Sequence, residues 1–128
     1  MKDLVWLDKP DCLAFHSQLI ARFGGLNGIR DEGLLDSALA RPLQLLDYGT
    51  PTLFDLAACY AHGIVKNHPF LDGNKRSGLM AAALFLEVNG WTFHPPEEQA
   101  VLHTLALAAG ELDADAFAAW LARSCTEK

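Results

Sequence analysis

Nine residues, His68–Arg76, place five polar or ionisable side chains in a short loop between two apolar stretches. We expect a helix to begin within this loop, so Lys75 and Arg76 fall in its first turn, at the positive end of the helix dipole. Cations there cost roughly 0.3–1 kcal/mol each. A bound anion would make the free-energy contribution of these cations favourable. Free backbone N–H groups at a helix start already attract phosphate, and two cations add to the attraction. The pattern therefore predicts a phosphate-binding site.

The other polar residues of the loop suit transfer chemistry beside such a site. Gly73 lets a ligand approach the backbone closely, and the Asn74 amide can donate hydrogen bonds. Asp72 is a carboxylate next to the expected phosphates, which most simply holds Mg²⁺. His68 is a side-chain type that can take a proton from a hydroxyl near neutral pH. Together these parts predict a phosphoryl or nucleotidyl transfer site.

The elements that must position this loop are helices. Ala and Leu supply 41 residues against 12 for Val, Ile and Thr, which favours helix over sheet. Capping residues and apolar periodicity predict helices over residues 9–23, 31–42, 52–67, 74–89 and 96–110, a sixth from 113, and an extended segment at 91–93. Every residue from Leu79 to Leu86 is apolar, so we expect the fourth helix to be buried on all sides. The predicted fold is all-α, a compact bundle of about six helices around this buried helix, in one domain over residues 1–128.

Composition excludes several function classes. The net charge of −6 and the isoelectric point near 5.2 argue against direct nucleic-acid binding. The longest apolar run, Leu79 to Leu86, is too short to cross a bilayer, so no membrane association is expected. Cys12, Cys59 and Cys125 are far apart and form no CxxC pair, which predicts free thiols and a cytoplasmic location.

The loop also resembles a known family motif. His68–Arg76, with the sequence HPFLDGNKR, resembles HPFx[DE]GN-x-R, the signature loop of the Fic/Doc (Fido) superfamily. The lysine between Asn74 and Arg76 resembles the Doc, or death-on-curing, branch. Fic proteins that transfer AMP typically have Gly at this position. Gly24–Pro42 and Leu84–Gly90 are also similar to the Doc branch. The resemblance covers nearly the whole chain and implies a compact Fido-type helical fold.

The resemblance implies the toxin of a toxin–antitoxin module, encoded beside a Phd-type antitoxin. Doc-type proteins are kinases that move the γ-phosphate of ATP to a threonine of elongation factor Tu, which halts translation. Carried onto this chain, His68 would activate the threonine hydroxyl and Asp72 would bind Mg²⁺. The residues that would hold the ATP phosphates are Gly73, Asn74, Lys75 and Arg76. The bulky Lys75 should block the phosphate position used in Fic enzymes. ATP would then bind in the opposite orientation and present its γ-phosphate to His68.

Two alternatives remain open from the sequence. Pro69 and Gly73 match the loops that transfer AMP, so a Fic-type nucleotidyltransferase acting on a protein hydroxyl is one alternative; a non-catalytic binding module is the second. The inhibitory pattern [ST]xxxE[GN] of many Fic proteins is absent from the sequence, so we expect inhibition to come from a partner. The segment from Leu43 to Thr52 precedes the third helix and is a hypothetical flap on which a target strand could pair.

Overall fold

The computed structural model describes residues 3–128, and within them the chain forms six α-helices and a two-stranded sheet. The elements are α1 (Lys9–Phe23), α2 (Glu32–Tyr48), α3 (Leu53–Asn67), α4 (Asn74–Val88), β1 (Trp91–Phe93), α5 (Glu97–Ala109), α6 (Ala114–Arg123) and β2 (Cys125–Glu127). The expected all-α bundle of six helices is thus confirmed. In the part of the chain that the structure describes, none of the helices combines the length and apolarity needed to cross a bilayer.

Short-range capping explains why the helices begin where the sequence predicts. Asp8 and Thr52 each accept a hydrogen bond from the backbone N–H three residues later, and an Asp side chain at that later position reaches back, which completes a capping box. Asp31 and Asp113 cap α2 and α6 in the same way, without the return contact. Each such cap contributes about 1 kcal/mol, so these four helix starts are fixed locally.

The buried central helix is α3 rather than the predicted fourth helix. It packs against α2, α4, α5 and α6, and it buries more residues than any other described helix: Leu56, Ala57, Ala58, Tyr60, Ala61, Gly63, Ile64 and Val65. The fourth helix, α4, leaves Met80 and Val88 exposed. Its unbroken apolar run therefore does not correspond to burial on every side, because one face of α4 lies at the surface.

Glycine allows α3 and α4 to pack closely. A Cβ atom built at Gly78 of α4 would lie 2.7 Å from Val65 Cγ1 and 3.1 Å from the Ala61 carbonyl oxygen of α3, closer than side chains tolerate. The two helices are joined by the loop that carries the predicted site residues. Their close packing therefore fixes the two ends of that loop relative to each other.

The second helix is longer than predicted. Pro42 was expected to end it, but α2 continues to Tyr48 with Pro42 buried inside. Leu39, Pro42 and Leu46 recur at helical spacing and face the core, so tertiary packing outweighs the hydrogen bond that the proline removes. The flap hypothesised over Leu43 to Thr52 is therefore wrong for most of its length, because that stretch is helical up to Tyr48.

The short sheet was predicted only in part. The extended segment β1 pairs antiparallel with β2, with Phe93 opposite Cys125. A strand of three residues after a helix carries no readable periodicity, so β2 was not predicted. Glu87 accepts a hydrogen bond from the Phe93 backbone (2.8 Å) and pairs with Lys128 (3.2 Å), which ties the end of α4 to both strands.

Candidate functional site

A cavity of about 480 Å³ lies between the α3–α4 loop and α5. Its lining residues are His68, Leu71, Asp72, Gly73, Asn74, Lys75, Arg76, Leu79, Ala100, Val101, Thr104 and Leu105. All six residues that the sequence analysis assigned to the site are among them. The volume is within the range of small-molecule sites, so the structure brings the predicted residues together around one space.

The start of α4 presents open backbone donors to this cavity. Gly73 is the N-cap residue, and because it has no side chain, no side-chain oxygen caps the helix. The first intrahelical hydrogen bond runs from Ser77 N–H to the Gly73 carbonyl oxygen (2.9 Å), so the N–H groups of residues 74–76 precede it. The first turn contains no acidic residue. The N-terminal end of α4 is therefore positive and has no acidic side chain in its first turn to balance it.

Two cations extend the positive surface. Lys75 and Arg76 are exposed, and within residues 3–128 neither forms an ion pair. The Arg76 guanidinium carbon lies 4.4 Å from the centre of the Phe23 ring, in cation–π geometry. The half-exposed Phe23 thereby orients Arg76 over the end of α1. No sequence pattern connects Phe23 with Arg76, so this partner was not predicted.

The Asp72 carboxylate is held by the glycine-rich loop after α1. Its Oδ2 atom accepts a hydrogen bond from Leu26 N–H at 2.7 Å. Gly25 has φ +115°, and a Cβ there would lie 3.0 Å from Asp72 Cβ, so only glycine fits comfortably. The Oδ1 atom of Asp72 has no hydrogen-bond partner among the described residues. One carboxylate oxygen is thus fixed, and the other is available to a ligand.

Asn74 shapes the loop. Its side chain is buried, with Oδ1 accepting from Phe70 N–H (3.0 Å) and Nδ2 donating to the Phe70 carbonyl oxygen (3.0 Å). The same Nδ2 atom lies 3.4 Å from Nδ1 of His68, a long contact. We predicted that the Asn74 amide donates to a phosphate. One of the two Nδ2 hydrogens is therefore used by Phe70, while the other has only the long contact to His68, and the backbone N–H of Asn74 precedes the first intrahelical hydrogen bond.

His68 stands at the junction of α3 and the loop in a left-handed conformation. Its φ and ψ are 49° and 55°, a region that costs a non-glycine residue about 1 kcal/mol or more. Arg30 holds it there, because Nε donates to the His68 carbonyl oxygen (2.6 Å) and Nη2 donates to the Asn67 carbonyl oxygen (2.9 Å). The imidazole itself is on the exposed side of the loop, where a substrate can reach it.

The segment before α2 braces the rest of the loop through its backbone. Ile29 forms a β-bridge with Phe70, and the Pro69 carbonyl oxygen accepts from the N–H groups of Arg30 (2.6 Å) and Asp31 (3.0 Å). Backbone groups of residues 28–31 therefore form hydrogen bonds with the backbone of the loop, much as a neighbouring strand would. The protein itself therefore holds the loop backbone in place.

A buried histidine supports the loop from α1. His16 is 2% exposed, and its Nε2 donates to the Asp72 carbonyl oxygen at 2.8 Å. Its ring stacks on Phe70, with centroids 3.7 Å apart and planes 8° from parallel. A Cβ at Gly73 would lie 3.6 Å from His16 Nε2 and 3.2 Å from Ile20 Cδ1, so Gly73 lets the loop approach α1. No motif in the sequence indicates this role for His16.

A model of the Fic/DOC family matches residues 6–86, which include the whole α3–α4 loop. This chain belongs to the Fic/DOC family. It is 44% identical over 88 residues to Toxin Doc of Mycolicibacterium smegmatis; the alignment covers 66% of this chain and 65% of that protein, somewhat under two thirds of its length. It is 35% identical over 118 residues to Protein kinase doc of Escherichia phage P1, covering 91% and 93% of the two chains. The expected Doc branch is thereby confirmed.

The site of this Doc-branch protein contains a single carboxylate suited to a metal ion. The described residues hold no group of three His, Cys, Asp or Glu side chains that could form a metal centre by themselves. Mg²⁺ is commonly bound by one or two carboxylates together with substrate phosphates and water. The free Oδ1 of Asp72, beside the open start of α4, fits a metal ion that arrives with a polyphosphate.

Thiols and other histidines lie outside the cavity of the Doc-branch protein. Burial raises the pKa of Cys12 to about 12 and that of Cys125 to about 11, so both thiols stay protonated at neutral pH. Burial, with Arg41 and Lys66 nearby, lowers the pKa of His62. None of these residues lines the cavity. Among the described residues, His68 is the histidine that lines the cavity.

Proposed function

We propose that this chain is a Doc-type toxin that acts as a protein kinase. It transfers the γ-phosphate of ATP to a threonine hydroxyl of elongation factor Tu and so halts translation. The observation that carries the proposal is the uncapped start of α4, where Lys75 and Arg76 have no acidic partner among the described residues and share a cavity with His68. The family and the similarity to Protein kinase doc of phage P1 support the same reading.

The positive end of α4 would bind the phosphates of ATP. Backbone N–H groups of the first turn and the side chains of Lys75 and Arg76 would face the phosphate oxygens, while Gly73 keeps the helix end open. Asp72 would hold Mg²⁺, which when bound neutralises charge on phosphate oxygens. Asn74 would contribute its backbone N–H and keep the loop in shape through Phe70.

His68 would act as the general base. It would take the proton of the threonine hydroxyl while the hydroxyl oxygen bonds to the γ-phosphorus, and the bond from that phosphorus to the β–γ bridging oxygen breaks, releasing ADP. Arg30 keeps the backbone of His68 in place during this step. The side chains proposed for these roles line one cavity, and positioning of this kind supplies most of the catalysis in phosphoryl transfer.

The biological setting is part of the same proposal. An antitoxin of the Phd type would inhibit this chain by binding to it, in keeping with the similarity to Toxin Doc of Mycolicibacterium smegmatis. The chain would act in the cytoplasm as a single domain over residues 1–128, without contacting nucleic acid or membrane. The cationic cavity gives an anionic nucleotide a local attraction despite the net charge of −6.

The deciding experiment is mass spectrometry of intact elongation factor Tu after incubation with the chain, Mg²⁺ and ATP. A gain of one phosphate group, absent with His68→Ala, is expected. A gain of one AMP would instead favour the Fic-type nucleotidyltransferase, and label from the α-phosphate would appear on the target. An unmodified target, with unchanged toxicity of the double variant His68→Ala, Asp72→Ala, would favour a non-catalytic binding module.

A further inference from the structure

The peptide group between Asp72 and Gly73 is held at its carbonyl end. The Asp72 carbonyl oxygen accepts the 2.8 Å hydrogen bond from Nε2 of His16 on α1. The N–H of the same peptide, that of Gly73, donates no hydrogen bond within residues 3–128. None of the described peptide bonds is cis, and in a trans peptide the N–H and C=O bonds point in opposite directions. The contact with His16 therefore directs the Gly73 N–H away from α1.

Glycine by itself does not choose between the two orientations of this peptide. Gly73 has φ +79°, and a flip of the peptide would bring φ to a negative value that glycine adopts about as readily. The flipped peptide would place the Asp72 carbonyl oxygen where the Gly73 N–H now lies, and a carbonyl oxygen repels phosphate. It would also lose the hydrogen bond from His16. That hydrogen bond therefore favours the orientation that offers an N–H.

Phe70 fixes the direction in which His16 donates. The two rings are stacked, with centroids 3.7 Å apart and planes 8° from parallel, and both are almost fully buried. Phe70 is in turn held by a β-bridge to Ile29 and by the side chain of Asn74. The imidazole of His16 cannot turn away from Asp72 without breaking this stack.

We propose that His16 is a positioning residue for phosphate binding: it holds the Asp72–Gly73 peptide so that its N–H joins those of residues 74–76 in binding phosphate. The inference rests on the proposed function, which puts the phosphates at the start of α4. Gly73 is left-handed and precedes a right-handed helix, and successive N–H groups in such backbone form an anion-binding concavity. Gly73 lines the cavity whereas His16 does not, so His16 acts through the peptide and not on the ligand.

The first test separates the hydrogen bond of His16 from its ring. His16→Phe keeps a ring that can stack on Phe70 but cannot donate. His16→Gln loses the ring but keeps a donor, because the amide nitrogen of glutamine and Nε2 of histidine are the same number of bonds from Cβ. In calorimetric titrations with inorganic tripolyphosphate and Mg²⁺, His16→Phe should bind about tenfold or more weakly than the wild type, the effect of one hydrogen bond to a charged group. His16→Gln should retain most of the affinity.

Tyr60→Phe is the matched control for stability. It also removes one buried contact to the backbone and keeps a ring, since the Tyr60 hydroxyl oxygen accepts from Leu7 N–H (3.1 Å), but Tyr60 does not line the cavity. Urea unfolding should show that both phenylalanine variants are less stable than the wild type, whereas only His16→Phe should weaken tripolyphosphate binding. Equal weakening by Tyr60→Phe would mean that lost stability is the cause, and the proposal would be wrong.

The Gly73 amide gives a direct readout. The chain has ten glycines, so labelling with ¹⁵N-glycine gives a small set of amide signals. Tripolyphosphate should move the Gly73 amide proton to low field in the wild type and in His16→Gln, because the N–H then donates to a phosphate oxygen, and should move it less in His16→Phe. A Gly73 signal that does not move at saturation in the wild type overturns the proposal without any variant.

The outcomes separate this inference from the proposed function. If the wild type binds tripolyphosphate and His16→Phe binds it equally well, the phosphate site stands and the role of His16 is wrong. The same conclusion follows if His16→Phe and His16→Gln weaken binding by equal factors, since the hydrogen bond would then not be the cause. If the wild-type chain binds neither tripolyphosphate nor ATP, both the proposed function and this inference are overturned.

Discussion

The Arg30 side chain donates a 2.6 Å hydrogen bond from Nε to the carbonyl oxygen of His68, 38 residues along the chain. A second donor of the same guanidinium reaches the carbonyl oxygen of Asn67 at 2.9 Å. These two carbonyls belong to the last residue of α3 and to its C-cap, where cations are favoured by the helix dipole. Arg30 is therefore a positioning residue for the candidate base.

Replacing Arg30 should separate its geometry from its charge. Lysine keeps the charge but cannot span both carbonyl oxygens in one plane. We expect Arg30→Lys to lower kcat for phosphate transfer by about tenfold or more with little change in KM for ATP, since a small displacement of a reacting group has effects of that size. Stopped-time transfer assays give both constants. Arg123→Gln, an exposed change on α6, serves as the control and should leave them unaltered.

His68→Ala should abolish transfer but retain ATP binding. The only hydrogen-bond contact of the imidazole within the described residues is the long one to Asn74 (3.4 Å), and His68 is exposed, so its removal should change the free energy of unfolding by less than about 1 kcal/mol. Calorimetric ATP titration alongside a transfer assay checks both statements. His94→Ala is the matched control at an exposed position outside the cavity. Full activity of His68→Ala would rule out its role as the base.

Lys75→Glu should stabilise the fold while preventing nucleotide binding. A carboxylate in the first turn of α4 interacts favourably with the helix dipole where the lysine does not, so the free energy of unfolding should rise by about 1 kcal/mol. The same carboxylate would repel phosphates. Urea denaturation and ATP titration measure the two effects. A stabilised variant that still binds ATP with wild-type affinity would mean that the cation serves no ligand.

Stability should fall in mild acid partly because of His62. Burial, then Arg41 and Lys66, lower the pKa of His62 in the folded chain below its ordinary value. The unfolded chain therefore binds the proton first as the pH drops below about 6.5, and unfolding becomes easier until the folded form is protonated as well. Urea unfolding at pH 7 and pH 5.5 should show a smaller acid loss for His62→Gln than for the wild type. Equal losses would contradict this assignment.

The sequence predicted most of the fold because the determining contacts are local. The side chains of Asp8 and Thr52 act on backbone groups three residues away, so helix starts can be read from a short window. The site loop was also predictable, because its polar residues are contiguous. Pro42 shows the limit: the proline locally signals a helix end, but packing of the buried Leu39 and the partly buried Leu46 on the same face continues the helix.

The residues that support the site loop could not be predicted, because their contacts are not local. Arg30 and His16 act on groups that lie far from them in sequence, and an arginine or a histidine in a helical protein signals nothing by itself. Asn74 also has a structural role that its residue type did not predict. Its amide type suggested a ligand contact, whereas the close approach of Phe70, four residues earlier, uses both of its polar atoms.

The loop that joins α3 to α4 is fastened from three directions: by Arg30 before α2, by His16 on α1, and internally by Asn74. Such a loop is rigid in the folded chain, so ligand binding has a small entropic cost for ordering it. A rigid loop also offers an inhibitor no alternative loop conformation to bind. We expect an inhibitor of this protein to act by covering the opening of the cavity, and such an inhibitor has to remain bound while substrate is present.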